Sequence, residues 1–472
     1  MAYFAKQILA KWTNGEWIND RVNSPIEGFS IDSRKIDSNQ MFVALKTDKR
    51  DGHHFVGDAE KRGAMAALTE QYIGNSRIPQ LKVNEGVNAL QTIAFKHRET
   101  FSGSIVGITG SCGKTSTKDL LSILLGEKRV LKTAGNLNNH LGVPLTLLRL
   151  DSGKHDFGVV EAGINSRGEM SDLADMINAD WGIVTMIGRA HLELLKDLDT
   201  IAREKVNLLK IGKQKQGVVY PASCLRYRSF QTITHTPNYV LTPISMRMPE
   251  VDWIKPIRYW CENDEWNQWV LFLKGSNNII RSFRVPNLSP GMRQNLALAL
   301  YVAGELGVSD ALLQQRLNHW CPSENRGEVF QTERGWIYSD CYNANPDSMR
   351  DSLKAFSASF DAKLPRLFVL GSMYELGQFA SQYHQKLGED LRVRPSDQVV
   401  CVGDFASDYA TGLMKNGVEQ EQIVKLSDVS EAVEKVGHFE GAVFLKGSRM
   451  NRLETLIPNN AQKVVLEAGN LC

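Results

Sequence analysis

Residues 104–125 read SIVGITGSCGKTSTKDLLSILL, and this stretch decides the fold. It opens with the apolar run SIVGI, passes through a glycine-rich turn and continues with leucines at helical spacing, at positions 120, 121, 124 and 125. A strand, a glycine-rich loop and a helix in this order direct backbone N–H groups and a helix N-terminus at a phosphate chain. The stretch therefore predicts a binding site for a nucleoside triphosphate, in preference to a turn that only joins a strand to a helix.

The loop departs by one position from the usual GxxxxGK[ST] pattern, because Ile108 stands where a glycine is expected. We expect Lys114 to reach the β- and γ-phosphates and the Thr115 hydroxyl to ligate Mg²⁺. The residues predicted to contact ATP within the loop are Gly110, Ser111, Cys112, Gly113, Lys114, Thr115 and Ser116.

Two further polar residues follow apolar runs that read as buried parallel strands. Glu161 ends the run FGVVE, and His191 follows WGIVTMIG. Ligands bind beyond the carboxyl ends of the strands in open α/β sheets, so we expect Glu161 to ligate Mg²⁺. An exposed glutamate at a strand end is the alternative, and a structural histidine is the alternative for His191.

Lys205 occupies an apolar position of a helical pattern. Ile201, Leu208 and Leu209 form a core-facing stripe, and Lys205 falls on the same stripe four residues after Ile201. Burial there would lower the pKa of the amine. A neutral amine can react with CO₂ to give a carbamate, which is a good Mg²⁺ ligand. The alternative is that the side chain snorkels to the surface.

The regions around this centre indicate three domains. Strands alternate with helices from about residue 104 to 320, which predicts a mostly parallel sheet with helices on both faces. Residues 215–290 break this rhythm and predict inserted antiparallel strands. After residue 322 the alternation returns with the strands WIYSD, RLFVLG, QVVCVG and AVFLKG. We predict an α/β protein with domains at 1–101, 102–321 and 322–472.

The composition excludes several classes of protein. The chain has 55 Lys and Arg residues and 53 Asp and Glu residues, which gives a net charge of +2. This small charge gives no indication of nonspecific binding to nucleic acid or to anionic membranes. No apolar run approaches the roughly 20 residues that span a bilayer, and the N-terminus lacks a signal-peptide pattern. Seven cysteines form no CxxC pair, which disfavours a disulfide framework or a zinc site. We expect a soluble cytoplasmic protein with no nucleic-acid partner and no membrane span.

Several segments together resemble the Mur ligase family of ATP-dependent amide-bond-forming enzymes. The resemblance runs nearly from end to end, and its most specific strings are GNLNNHLGVPLT and YNANPDSM, which favour the branch that adds a dipeptide. It implies a small α/β UDP-binding first domain, a central P-loop-type domain and a Rossmann-like third domain. It also implies a monomer that uses ATP and two Mg²⁺ ions to join D-alanyl-D-alanine to a UDP-muramoyl tripeptide through an acyl phosphate.

The resemblance assigns roles residue by residue. It implies that Lys114, His191 and Lys205 are catalytic, with Lys205 carbamylated and Glu161 and His191 binding magnesium. Asn139 would lie by the γ-phosphate, with Asn138 or His140 as open equivalents. The other expected nucleotide contacts are Asn295, Arg326, Asp340, Asn343 and Asn345. The expected UDP-sugar contacts are Ser33, Arg34, Asp51, Gly52 and His53.

The chain departs from the family pattern at some positions. Cys112 replaces the usual Asn, Arg189 stands where a small or acidic residue is usual, and Val206-Asn207 replaces Gly-Glu. The His-Asn pair expected in SPGMRQNLALAL is reduced to Asn295. Two rival functions therefore stay open: a sister or folylpolyglutamate-type ligase that adds one amino acid, and a nonhydrolysing nucleotide-binding regulator of cell-wall synthesis.

Overall fold

The computed structural model describes residues 3–47, 50–210, 216–233, 237–248, 251–361 and 363–464. Cys472 and residues 215, 234–236 and 249–250 of the predicted insertion lie outside these ranges. Three separate sheets, met one after another along the chain, give the three α/β domains that the sequence predicts. The exact domain boundaries stay a prediction.

The first domain is a small sheet with three helices. Its strands are β1 (Glu16–Ile18), β2 (Gly28–Ser30), β3 (Gln40–Val43), β4 (Lys46–Thr47), β5 (Arg50–Asp51), β6 (Ala66–Thr69) and β7 (Gln80–Lys82). Its helices are α1 (Lys6–Thr13), α2 (Val56–Lys61) and α3 (Gly86–Thr100). The strand order is β1-β7-β6-β3-β2, with only β1 antiparallel to its neighbour, and β4 and β5 form a separate hairpin.

The central domain carries the largest sheet. Its strands are β8 (Ser104–Thr109), β9 (Val130–Lys132), β10 (Phe157–Glu161), β11 (Trp181–Val184), β12 (Gly217–Pro221), β13 (Asn238–Pro243), β14 (Ile254–Asn263), β15 (Trp269–Lys274) and β16 (Ile280–Arg284). Its helices are α4 (Lys114–Leu125), α5 (Gly142–Leu147), α6 (Glu169–Ile177), α7 (Leu192–Leu195), α8 (Leu198–Lys205), α9 (Asn207–Lys210), α10 (Pro290–Glu305) and α11 (Asp310–Leu317). The order is β16-β15-β14-β13-β12-β11-β8-β10-β9, parallel from β9 to β14.

The prediction of an antiparallel insertion at 215–290 is wrong for its first half. Strands β12 and β13 extend the parallel sheet, and β13 also pairs parallel with β14. The antiparallel pairs are β14–β15 and β15–β16. All five residues of β12 are buried, as expected for a strand covered on both faces. The Arg-, Trp- and Tyr-rich strands that follow are only partly buried, which suits an antiparallel ribbon at the edge of the sheet.

The third domain repeats the strand–helix alternation. Its strands are β17 (Glu328–Thr332), β18 (Gly335–Ser339), β19 (Arg366–Gly371), β20 (Gln398–Val402), β21 (Ile423–Leu426), β22 (Gly441–Lys446) and β23 (Gln462–Val464). Its helices are α12 (Pro346–Ser359), α13 (Ala380–Asp390), α14 (Ala406–Lys415) and α15 (Val433–His438). The order is β21-β20-β19-β22-β18-β17-β23, in which β17 pairs antiparallel with both β18 and β23 and the other pairs are parallel. The four predicted strands are confirmed.

Two packing features place the functional residues. The leucine stripe of α4 is buried with α10 in one core beneath β8, so the loop between β8 and α4 is fixed at both ends. Arg98 at the end of α3 donates to the Ile177 carbonyl and pairs with Asp180, which ties the first domain to the central one.

In the described part of the chain, no helix combines the length and apolar character needed to cross a membrane.

Candidate functional site

The glycine-rich loop connects β8 to α4, as the sequence predicts. Gly113 has φ 82°, and a Cβ there would lie 2.5 Å from the Asn295 amide nitrogen, so only glycine suits this position. The first turn of α4 has no side-chain cap, which leaves its N–H groups for an anion. Lys114 Nζ donates to the Gly110 carbonyl at 2.9 Å and so lies folded back over the loop.

A cavity of about 710 Å³ lies between the central and third domains. It brings together most of the nucleotide and metal ligands that the sequence predicts. Those that line it are Ser111, Cys112, Gly113, Lys114, Thr115, Ser116, Asn139, Glu161, His191, Asn295, Arg326, Asp340, Asn343 and Asn345. Gly110 and Lys205 lie behind this lining.

Glu161 is buried at the carboxyl end of β10 and is not an exposed strand-end residue. Its side chain is 2% exposed and accepts hydrogen bonds from Thr115 Oγ1 at 3.0 Å and from Asn138 Nδ2 at 2.8 Å. Asn138, left open in the sequence as an equivalent of Asn139, is thus the residue that contacts Glu161. The Asn139 side chain instead accepts from the N–H of Gly142 at 2.9 Å, where α5 begins.

Lys205 is buried and does not snorkel. It is 1% exposed, and its Nζ has no hydrogen-bond partner among the described residues. Burial, followed by the charge of Lys114, lowers the pKa of this amine well below its usual value, although Glu161 and Glu204 act in the opposite direction. Burial thus favours the neutral form of this amine, which is the form that reacts with CO₂.

His191 lies at the junction of the central and third domains. Its backbone is left-handed (φ 57°), and its Nδ1 lies 2.6 Å from a carboxylate oxygen of Glu375 in the third domain. The hydrogen bond from His191 lowers the pKa of Glu375. Glu375 has no role among the sequence-based predictions, because its partner His191 is remote in the chain.

The third domain supplies further polar groups to the cavity. Arg326 Nη2 donates to Thr115 Oγ1 at 3.1 Å, and Asn345 caps α12 while its Nδ2 lies 3.4 Å from the Ser111 carbonyl. Lys446 is 2% exposed, and its Nζ donates a hydrogen bond to Asp340 Oδ2 at 2.7 Å. Sequence reasoning missed Lys446, although a lysine ending the apolar run AVFLK was the available signal.

The residues predicted to contact a UDP-sugar lie in the first domain and do not line the cavity. Arg34 is exposed and pairs with Asp32, while Ser33 is buried at the start of a short 3₁₀ turn. His53 is buried, and its Nε2 accepts from the Glu70 N–H at 2.9 Å. Its Nδ1 therefore carries the proton and donates to Asp51 at 2.6 Å, so both ring nitrogens are engaged. Gly52 packs so that a Cβ would lie 2.7 Å from the Leu45 backbone.

The structure shows where two of the departures from the family pattern lie. Arg189 Nη1 pairs with Asp347 Oδ1 at 2.9 Å and its N–H donates to the same carboxylate at 2.7 Å, which joins the central and third domains. The Val206-Asn207 pair marks the break between α8 and α9.

The residues present fit magnesium bound together with a nucleotide. No group of three or more His, Cys, Asp or Glu side chains in the described ranges forms a metal cage. Mg²⁺, however, uses one or two protein oxygens and completes its octahedron with phosphate oxygens and water. The Thr115 hydroxyl and Glu161 carboxylate, 3.0 Å apart at the loop, are a donor set of that kind.

Three family models match this chain. They are "Mur ligase family, catalytic domain" over residues 25–100, "Mur ligase middle domain" over 108–279, and "Mur ligase, glutamate ligase domain" over 325–449. The UDP-N-acetylmuramoyl-tripeptide–D-alanyl-D-alanine ligase of Synechocystis is 30% identical, across 84% of this chain and 83% of its own length.

Solved structures agree with these matches. The crystal structure of MurF from Acinetobacter baumannii is 27% identical, has a TM-score of 0.81, and covers 97% of this chain and 98% of its own. The MurF ligase from Thermotoga maritima, solved in complex with ADP, is 25% identical, has a TM-score of 0.74, and covers 91% and 96%.

Proposed function

This chain belongs to the Mur ligase family, and we propose that it joins D-alanyl-D-alanine to a UDP-N-acetylmuramoyl tripeptide with consumption of ATP. The products are UDP-N-acetylmuramoyl pentapeptide, ADP and phosphate. The enzyme is thus an acid–D-amino-acid ligase of peptidoglycan precursor synthesis. Relatives that cover 92% and 84% of this chain carry this activity in their names.

One observation supports the proposal most directly. Thr115, at the start of the phosphate-loop helix, contacts Glu161 in its own domain and Arg326 in the third domain. A hydroxyl, a carboxylate and a guanidinium therefore converge where a γ-phosphate would end. Phosphoryl transfer depends mainly on positioning and charge neutralisation, and these are the groups that it needs.

The reaction proceeds in two steps. The γ-phosphate of ATP passes to the C-terminal carboxylate of the tripeptide, giving an acyl phosphate and ADP. The amine of the dipeptide then attacks the acyl carbon, a tetrahedral intermediate forms, and the amide is made as phosphate leaves. Lys114 and Arg326 stabilise the charge that moves with the phosphoryl group. Thr115 and Glu161 would hold Mg²⁺, which neutralises the phosphate oxygens.

A second metal position would be built from His191 and a carbamylated Lys205. Lys205 Nζ has no hydrogen-bond partner within the described ranges, which supports this assignment, because a carbamate would give the buried amine a polar function. The third domain closes over the cavity and keeps water from the acyl phosphate. The first domain would bind the UDP-sugar through Ser33, Arg34 and Asp51, with Gly52 and His53 shaping the loop. We further propose a cytoplasmic monomer.

A phosphate-release assay tests the function. The purified protein is given ATP, Mg²⁺ and UDP-muramoyl tripeptide with either D-alanyl-D-alanine or single amino acids. We expect release of phosphate and a longer product with the dipeptide only. Turnover with one amino acid would identify a sister ligase. Tight ATP binding without substrate-stimulated phosphate release would identify a nonhydrolysing regulator.

A further inference from the structure

Lys118 is a buried lysine that the mechanism above does not use. It lies on α4 one turn after Lys114 and is 3% exposed. Its Nζ is 3.7 Å from Glu161 Oε2 and 3.7 Å from Asp119 Oδ1. Lys118 does not line the cavity, whereas Glu161 does, so the ammonium group approaches Glu161 from the protein side.

Charge explains why a lysine at this position matters. Glu161 is 2% exposed, so solvent does little to compensate its carboxylate. Its hydrogen bonds come from the neutral groups of Thr115 and Asn138, and neither supplies a positive charge. The removal of one partner from a buried ion pair leaves the other charge uncompensated, which is far costlier than the loss of an exposed pair. Lys118, with its Nζ 3.7 Å from Glu161 Oε2, supplies a positive charge that compensates this carboxylate.

The same lysine is connected to the segment that leads into the third domain. Asp119 Oδ2 accepts a hydrogen bond from Ser323 Oγ at 2.5 Å. Three residues later, Arg326 reaches Thr115. Residues 323–326 therefore contact the surroundings of Glu161 by two routes, one through Asp119 and Lys118 and one through Thr115.

We propose that Lys118 is a positioning residue of the ligase, which fixes the Glu161 carboxylate so that it can receive the metal–nucleotide complex. The inference rests on the proposed function, because it assigns Glu161 a role in holding that complex. Partners that orient a metal ligand typically change metal affinity or activity by about 10–100-fold when they are removed.

Three variants test the inference. Lys118→Met keeps the length of the side chain and removes its charge, whereas Lys118→Arg keeps the charge. Lys132→Met is the matched control, because Lys132 pairs with the same Asp119 at 3.4 Å, is partly exposed and does not contact Glu161. The measurements are calorimetric affinity for a nonhydrolysable ATP analogue with and without Mg²⁺, the Mg²⁺ concentration for half-maximal phosphate release, and thermal unfolding.

We expect Lys118→Met to weaken Mg²⁺-dependent nucleotide binding by about 10–100-fold, with metal-free binding unchanged. Lys118→Arg should recover much of the loss, and Lys132→Met should match the wild type. Wild-type Mg²⁺ dependence in Lys118→Met would overturn the inference, as would an equal loss of binding with and without Mg²⁺. Should Lys118→Met fail to fold, Lys118→Gln takes its place, and a wild-type Mg²⁺ requirement in Lys118→Gln would overturn the inference. A wild type that binds the metal–nucleotide complex but makes no product would refute the proposed function alone.

Discussion

At the scale of a single residue, the burial of Lys205 opposes folding, although its proposed role in catalysis depends on that burial. A buried amine without a partner destabilises the fold unless it is neutral or modified, and here it lies among Lys114, Glu161 and Glu204. Carbamylation would convert the buried amine of Lys205 into a metal ligand.

We expect Lys205→Ala to lack ligase activity and to be partly restored by short carboxylates such as acetate, which can occupy the space of the carbamate. Phosphate release with and without added carboxylate measures this. Intact-protein mass spectrometry under CO₂ supplies the independent readout. Absence of any rescue, together with an unmodified amine, would contradict the carbamate.

Lys114 provides a second test at this scale. Its Nζ donates to the Gly110 carbonyl, and the proposed mechanism requires it to turn toward the phosphates when ATP binds. Lys114→Met should lower turnover by roughly 10²–10³-fold, the scale of one oriented electrostatic contact. Steady-state phosphate release is the measurement, and circular dichroism checks that the variant is folded. Near-normal turnover would rule out this role.

His384 makes the third domain sensitive to acid. It is fully buried, its Nε2 accepts from the Met373 N–H at 2.8 Å, and burial lowers its pKa to about 4 from 6.5. The unfolded chain therefore binds this proton at a higher pH than the folded chain does. Stability contributed by the neutral ring is present above pH 6.5 and is lost as the pH falls toward 4.

Urea unfolding at several pH values measures this effect. We expect the wild type to lose up to about 3 kcal/mol over that window from this group. His384→Gln should show a flatter pH dependence, whatever its stability at pH 7. Parallel pH profiles for the two proteins would show that another group is responsible.

At the scale of elements, the backbones of α13 and α14 come into direct contact. This is possible because each helix places a glycine against the backbone of the other. A Cβ on Gly388 would lie 2.5 Å from the Tyr409 carbonyl oxygen, and one on Gly412 would overlap the Gln385 carbonyl. Side chains at these positions would force the helices apart, away from the arrangement that covers β20.

Gly412→Ala should therefore lower the free energy of unfolding by about 1–3 kcal/mol, the usual range for overpacking. Gly437→Ala is the control, because Gly437 lies in α15 with open space around it and should gain up to about 1 kcal/mol of helix propensity. Denaturant unfolding compares the two, and a neutral Gly412→Ala would show that the helices can separate freely.

At the scale of the whole molecule, polar contacts close the third domain onto the central one. Asp347 accepts from Arg189, Glu375 from His191, and Asp351 from Ser289 at 2.6 Å. Because these contacts lie around the cavity, we expect them to control how readily it opens for substrates and closes for the reaction.

Asp347→Ala removes both hydrogen bonds to Arg189 and should shift the chain toward an open arrangement. We expect a larger radius of gyration in small-angle X-ray scattering and a higher KM for ATP. Ser357→Ala, at an exposed position of the same helix, is the control. An unchanged radius with an unchanged KM would mean that the other contacts suffice.

Local patterns explain what could be predicted from the sequence. The phosphate loop, the strand ending at Glu161 and the helix carrying Lys205 each occupy one continuous segment, whose periodicity or glycine spacing is visible in the chain. The direction of β12 and β13 was mispredicted, because a short strand can pair in either sense and its neighbours decide which. Likewise, Glu375 and Lys446 meet partners more than 100 residues away, which no local pattern encodes.

The sequence by itself determined the α/β class, the phosphate-binding loop and the residue types that can handle a nucleotide, since these follow from local geometry and side-chain chemistry. Only the tertiary structure decided that Lys205 is buried with no hydrogen-bond partner among the described residues. It also decided that Asn138 donates to Glu161 and that Lys118 forms an ion pair with Glu161. Burial and ion pairing depend on what packs around a residue, and that environment exists only once distant segments have come together.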